Sequence, residues 1–297
     1  MDDKVINDYI KAGKIWKETI KFSRKKAIEG KSLLELANEI ETKILEEGQI
    51  AFPVNLSINE EAAHFTPNGK IEDDRFLKKE DVLKIDLGVH INGYICDGAI
   101  TINLDNTHAK QIEANDLALE NAITKAVFGK PIEVIGKEIE DTLKQKGFNP
   151  VYNLGGHGLA QNDIHSYPSI PNHANGSTSL LEECAIAIEP FASTGKGYIS
   201  ESPQVEIFGL KEGKNVRNPY GRKLLFIAKN YSLPFAERWL RRESKLDDFS
   251  FIVGLRELMK AGAFETFPGL KENKGTIITQ SEKSLLVLEN KTIVLGE

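Results

Sequence analysis

The stretch from Lys84 to Thr101, KIDLGVHINGYICDGAIT, constrains this chain more tightly than any other part of it. Asn92-Gly93 is the preferred dipeptide of a two-residue type I′ hairpin turn. With the turn there, Ile91 faces Tyr94, Gly88 faces Asp97 and Asp86 faces Ala99. Side chains alternate along a strand, so Asp86, Gly88 and Asp97 project from one face of the hairpin. The two aspartates are diagonal neighbours, roughly 7–8 Å apart at the backbone with their side chains closer.

Two carboxylates converging on one face of an apolar hairpin repel each other unless a proton or a cation joins them. A pair of metal ions about 3.5–4 Å apart matches that spacing. Alone, the two aspartates fit equally well as a solvated residue and a turn cap. His90 shares the face by parity and lies beside the turn, so it is expected to be exposed.

Five other positions carry donor chemistry. His157 stands among glycines in Asn153-Leu-Gly-Gly-His157-Gly and reads as a loop residue; glycine lets a backbone approach a ligand closely, and imidazole suits first-row metals. Glu189 ends the apolar run Ala185-Ile-Ala-Ile just before Pro190. A carboxylate there is costly to bury without a partner. Glu282, in Gln280-Ser-Glu282, has a similar place in the last strand region. His64 and His165 each lie near a proline, at the edge of an element, where a side chain can donate to a carbonyl or a developing oxyanion. Taken singly, each of these also fits a structural role.

The surrounding chain is that of an ordinary globular protein: 297 residues, 40% hydrophobic, 28% charged, net charge −6. This is enough for one large domain or two smaller ones. The two cysteines, Cys96 and Cys184, form no CxxC pair, which excludes a disulfide framework and a thiolate zinc site. The N-terminal MDDKVINDYIKAGK has no apolar signal core, and no run of about 18 apolar residues exists, so a cytoplasmic protein without a membrane span is expected.

Apolar spacing predicts helices over 4–27 and 32–47, the second capped by Ser32 with Glu35 at the capping-box position and stopped by Gly48. Strands and loops follow over 51–103, then helices over 107–126 and 132–146, the latter ended by Gly147. Short strands are expected over 150–208, a mostly helical stretch broken at Pro219 and Pro234 over 215–262, and closing strands at 276–280 and 284–295. Residues 209–260 hold twelve Lys or Arg against six Asp or Glu, which makes this stretch +6 within an otherwise acidic chain. It reads as an inserted subdomain whose basic face is either simply solvated or docks on a polyanion.

In this order, AFPVNLSINEEAAHFTP (51–67), DVLKIDLGVHINGYICDGA (81–99), NLGGHGLAQNDIHSYPSIPN (153–172), AIEPFASTGKG (187–197) and QSE (280–282) resemble the methionine aminopeptidases, type 2, in their shorter, archaeal-like form. The similarity runs essentially end to end. It implies an α+β pita-bread fold, with two pseudo-symmetric halves over 1–205 and 271–297 and a winged-helix-like helical insert over 206–270. It implies two divalent metal ions held by Asp86, Asp97, His157, Glu189 and Glu282, with Asp97 and Glu282 bridging. His64 and His165 would orient the substrate, and Phe52, Ile164 and Phe267 would line the methionine pocket. The sequence departs from the family in Lys283-Ser284, where a histidine and then a threonine usually follow the glutamate, and in Cys96 and Gly98 around Asp97.

Four carboxylates and one imidazole favour Mn, Fe or Co and do not exclude Zn. The implied reaction is removal of the initiator methionine from nascent chains whose second residue is small. Glu189 would move the proton of an acidified water, and His64 or His165 would stabilise the oxyanion. The alternatives are an Xaa-Pro peptidase of the same fold and a non-catalytic relative that binds RNA or protein. A monomer is expected, with ribosome association through the basic insert, for which Arg238, Arg241 and Arg242 are the arginines to test.

Overall fold

The structure is a computed structural model that describes residues 1–70, 72 and 74–297. The first half opens with two helices, α1 (Asp3–Lys26) and α2 (Leu33–Leu45). Asp2 caps α1 by accepting from the Val5 N–H, and Ser32 caps α2 by accepting from the Glu35 N–H, the position expected for it. Each helix turns one apolar stripe inward, Tyr9, Ala12, Trp16 and Ile20 from α1 and Leu36, Ala37, Ile40 and Ile44 from α2. These stripes cover one face of an antiparallel sheet made of β1 (Gln49–Ile58), β3 (Val82–Ile91) and β4 (Tyr94–Asn103), with the short β2 (Glu61–Ala63) between β1 and β3 in the chain. Gly48 does not stop α2 by a left-handed turn. Its φ is ordinary, and what requires glycine is Val89, whose Cγ1 would lie 2.9 Å from an added Cβ.

The second half repeats the plan. Helices α3 (Ala109–Ile123) and α4 (Glu133–Gln145) cover strands β5 (Asn149–Pro150), β6 (Gly155–Ala160), β7 (Asp163–Pro171), β8 (Cys184–Ile188) and β9 (Phe191–Ser193), and a second apolar core forms between the two layers. Gly147 follows α4 at φ 86°, the left-handed position that favours glycine.

Between β10 (Ser200–Glu201) and β14 (Leu270–Lys271) the chain builds β11 (Ile207–Leu210), α5 (Pro219–Ala228), β12 (Phe235–Ala236), α6 (Glu237–Ser244), α7 (Asp248–Lys260) and β13 (Phe264–Phe267) around a separate core. Pro219 does not break this stretch. It takes the first position of α5 behind the Asn218 cap, where the missing N–H costs nothing. Pro234 does fall in an interruption, between α5 and β12.

The chain closes with β15 (Ile278–Gln280), β16 (Lys283–Leu288) and β17 (Lys291–Val294). Residues 284–295 are therefore a hairpin rather than one strand. It completes a sheet in the order β17-β16-β8-β6-β7, with Leu285 and Val287 in the core beside α3 and α4 and Leu286 turned to the core of the first half. The open faces of the two main sheets meet, and the cleft lies between them.

Candidate metal centre

The β3–β4 register pairs Ile91 with Tyr94, Gly88 with Asp97 and Asp86 with Ala99, as the turn requires. Asn92 and Gly93 both have positive φ, 53° and 85°. On the helix side of this hairpin, the Trp16 Nε1–H donates to the carbonyls of Leu87 and Gly98 at 3.1 and 3.2 Å. A Cβ at Gly98 would lie 2.5 Å from the Trp16 ring, which accounts for glycine beside Asp97. On the cleft side, a Cβ at Gly88 would lie 2.3 Å from Phe52 Cε1. Cys96 points away from the cleft into the core of the first half.

The five expected donor residues meet at the cleft floor. Donor atoms of Asp97, His157 and Glu282 lie within 4.8 Å of one another. His157 Nε2 is 3.7 Å from Asp97 Oδ2 and 3.9 Å from Glu189 Oε1. Asp86 joins through Gln280, whose Nε2–H group reaches Asp86 Oδ2 at 3.5 Å, Glu189 Oε2 at 3.3 Å and Glu282 Oε2 at 3.3 Å. Asn55 Nδ2–H adds a contact to Asp86 Oδ2 at 3.4 Å. The sequence reading used Gln280 only to mark spacing and did not consider Asn55. Neither amide shows in the sequence, because the contacts are tertiary.

His157 and His165 lie in strands β6 and β7, not in loops. The glycines beside His157 serve close strand packing: a Cβ on Gly156 or Gly158 would come within 2.1 Å of a carbonyl oxygen, that of Ala187 or Tyr167. His157 Nδ1 stands 3.2 Å from the Gly158 carbonyl, so the hydrogen sits on Nδ1. Nε2 then turns a bare lone pair toward Asp97 and Glu189.

A lone pair aimed at carboxylate oxygens in a buried site is repulsive unless a proton or a cation lies between them. The acids carry the same signature. Asp86 Oδ1, Asp97 Oδ1 and Glu282 Oε1 are buried without a hydrogen-bond partner among the described residues. Burial pushes Asp86 up to about 6 and raises Asp97, Glu189 and Glu282 well above the usual carboxylate range, with mutual repulsion adding to each of these three. Burial also lowers His157 to about 3, so it is a neutral donor. These residues fit a cationic metal centre in donor type, protonation and orientation.

Above the floor, the cleft has a volume of about 340 Å³. Phe52, Ile164 and Phe267 line it. So do Ile207 and Pro234, neither of which the sequence marks as a pocket residue; Pro234 stands out there only as a helix interruption. His64 follows β2 at φ 63°, and its Nδ1 is 3.3 Å from the Pro268 carbonyl. Desolvation lowers it to about 4. His165 is solvent-accessible at the cleft mouth, yet its ring packs 4.8 Å from that of His157, and desolvation lowers its pKa too. His90 is not exposed as expected: it is half-buried, accepts from the Gly93 N–H at 3.1 Å and lines a different cavity.

The sequence profile of metallopeptidase family M24 matches residues 7–217. The methionine aminopeptidase of Pyrococcus abyssi is 42% identical over 98% of this chain and 99% of its own length. The chain belongs to metallopeptidase family M24.

M24 membership accounts for the use of divalent metal and for the pita-bread architecture. Two solved structures show the same fold over the whole of this chain. A methionine aminopeptidase from Thermotoga maritima gives a TM-score of 0.70 at 20% identity, with 98% of that chain covered. A thermophilic Arx1 gives 0.85 at 16% identity, with 91% covered. At the departure from the M24 pattern, the Ser284 hydroxyl holds the backbone of Asp97.

Proposed function

We propose that this chain removes the N-terminal methionine from nascent proteins and peptides whose second residue is small, using two divalent ions held by Asp86, Asp97, His157, Glu189 and Glu282. The observation that carries this reading is the inward-facing Nε2 lone pair of His157 among buried, partnerless carboxylate oxygens, at the base of an apolar cleft. The near full-length likeness to archaeal methionine aminopeptidases supports the choice of substrate.

When bound, the ions would supply Lewis acidity and acidify a water. The chain's residues supply the remainder. Glu189 stands beside the centre with a raised pKa and can take a proton from the water and pass it to the leaving amine. His64 and His165 are both neutral at pH 7. His64 holds its hydrogen on Nδ1 toward Pro268, so its Nε2 accepts from a substrate N–H rather than donating to an oxyanion. That leaves His165 as the donor to the substrate carbonyl oxygen. In this reading the two histidines take different roles. Phe52, Ile164, Phe267, Ile207 and Pro234 form the apolar wall that receives the methionine side chain.

The setting for this activity would be the cytoplasm, with the enzyme a monomer close to the ribosome; among the described residues no helix is long and apolar enough to cross a membrane. Residues 206–270 would be the insert that reaches the ribosome. Arg238 cannot serve in such docking, because it is buried on Glu41, and Arg241 is paired with Glu237 and Asp248. The exposed Arg222 and Lys223 of α5 and Lys229 just past its end are the better candidates. Ribosome co-sedimentation unchanged by reversing these three charges would remove that part of the proposal.

The deciding experiment strips the protein with a chelator, reloads it with Mn, Fe, Co or Zn, and follows release from Met-Ala-Ser and Xaa-Pro peptides. Metal-dependent methionine release is expected. Preference for the Xaa-Pro peptide, or no release with any ion, would overturn the reading.

A further inference from the structure

The stretch from β11 to β13 does not close against α2 and β1 by packing alone. A cavity of about 620 Å³ separates them, walled in part by Leu34, Ile50, Tyr231 and Leu233. Apolar side chains cross beside this cavity, Leu233 into the core of the first half and Ile50 against the core of the β11–β13 stretch, and a polar contact crosses with them.

Its centre is a buried ion pair. Glu41 of α2 and Arg238 of α6 are each 4% exposed. Arg238 Nη2–H donates to Glu41, while Nη1–H donates to Thr66 Oγ1 at 2.6 Å and to the Pro67 carbonyl at 3.2 Å. Trp239 Nε1–H donates to the second Glu41 oxygen at 2.9 Å.

The network continues into β1. Glu41 accepts the Val54 N–H at 3.2 Å, and the Thr66 hydroxyl donates to the Val54 carbonyl at 2.7 Å. Val54 lies where the β1–β3 register slips between Phe52 and Asn55. A bulge leaves its extra residues without ladder partners, and here Glu41 and Thr66 take both backbone groups of Val54. Phe52, on one side of the slip, lines the cleft, and Asn55, on the other, reaches Asp86. Thr66 is two residues beyond His64.

We infer that Glu41 and Arg238 are positioning residues for the catalytic cleft, fixing the bulged strand that carries Phe52 and the segment that carries His64. The inference rests on the aminopeptidase reading above. The pair touches none of Asp97, His157 and Glu282. Its link to the metal centre runs through Asn55, whose amide reaches Asp86 at 3.4 Å, so its loss acts first on how the substrate side chain is held and only weakly on how metal is held.

Removing one partner would strand the other charge in the interior, so the informative variant is the double Glu41→Leu/Arg238→Met, which exchanges a buried pair for apolar groups of similar size. Melting temperature, metal affinity of the stripped protein by calorimetry, and KM and kcat on Met-Ala-Ser and Leu-Ala-Ser are compared with wild type. The expected result is a folded protein with metal affinity within about twofold of wild type, KM for the methionine peptide raised about tenfold, and a narrowed preference for methionine over leucine. A folded double variant with wild-type KM and preference would overturn the inference. If the double variant does not fold, Thr66→Val decides: it removes one hydroxyl, and an unchanged KM there is equally fatal. Wild-type protein that releases no methionine at all would sink the parent reading, a result visible before any variant is made.

Discussion

The Ser284 hydroxyl accepts the backbone N–H of Asp97 and donates to the backbone carbonyl of the same residue, both at 2.8 Å. One side chain on β16 thus holds both polar groups of a β4 residue and ties the two halves together at the metal centre, two positions from Glu282. Ser284→Ala leaves a buried donor and acceptor unpaired. Its metal affinity, read by calorimetry on stripped protein, should fall by about 10- to 100-fold. Ser284→Thr keeps the hydroxyl and should stay close to wild type. Equal affinities for the alanine and serine proteins would show that the tie does not position Asp97.

The acid cluster itself predicts an asymmetry between activity and stability. Without a cation, Asp97 is held against Asp86 and Glu189, and burial and repulsion both disfavour its charge. Asp97→Ala should abolish turnover, yet in chelator at pH 8 the variant should melt no lower than stripped wild type, because a repelling buried charge has gone. Added metal should raise the melting temperature of wild type and leave that of the variant almost unmoved. Full activity of the variant on a Met-Ala-Ser peptide would end the metal reading.

Gly88 is placed to control the pocket through Phe52. A Cβ there would meet Phe52 Cε1 at 2.3 Å and Ala51 Cβ at 2.9 Å, so the ring of Phe52 must shift within the cleft. Overpacking of this kind costs roughly 1–3 kcal/mol. Gly88→Ala should raise KM for methionine peptides about tenfold, by the tenfold-per-1.4 kcal/mol rule, with metal content unchanged. A variant with wild-type KM would show that the Phe52 ring does not contact the substrate.

The hairpin was legible from sequence because a two-residue turn admits one register, and that register decides which carboxylates share a face. The capped start of α2 was legible for a similarly local reason, since Ser32 answers to an N–H three residues away. The histidines were harder. His157 was read as a loop residue because glycines usually mark loops, whereas Gly156 and Gly158 are there to let neighbouring carbonyls approach. Pro219 looked like a break and is a helix start. The roles of Glu41, Gln280, Ile207 and Pro234 left no mark in the sequence, because each depends on which distant segment arrives beside it. In strand β1 the pattern shows apolar residues, but nothing local says that Val54 takes its partners from Glu41 and Thr66.

A last prediction concerns pH and lies outside the metal centre. Glu206 is 4% exposed, its Oε2 has no partner, and its backbone carbonyl is held by the Glu237 N–H. Burial pushes its carboxyl up to about 7, outweighing the opposing Gln204 hydrogen bond, with the Glu237 charge a smaller push upward. The folded protein therefore holds this proton more tightly than the unfolded chain, whose glutamates titrate near 4.3. Under linkage, such a group costs nothing below about pH 4, where both states are protonated. Stability is then lost as pH rises from there to about 7, and the loss is complete above that. Glu206→Gln removes the titration and keeps the shape. The variant should match wild type near pH 4 and exceed it by about 1–3 kcal/mol at pH 8, as read from denaturant melts at the two pH values. A gain that is the same at both pH values would mean that the carboxylate is already ionised in the folded protein without penalty.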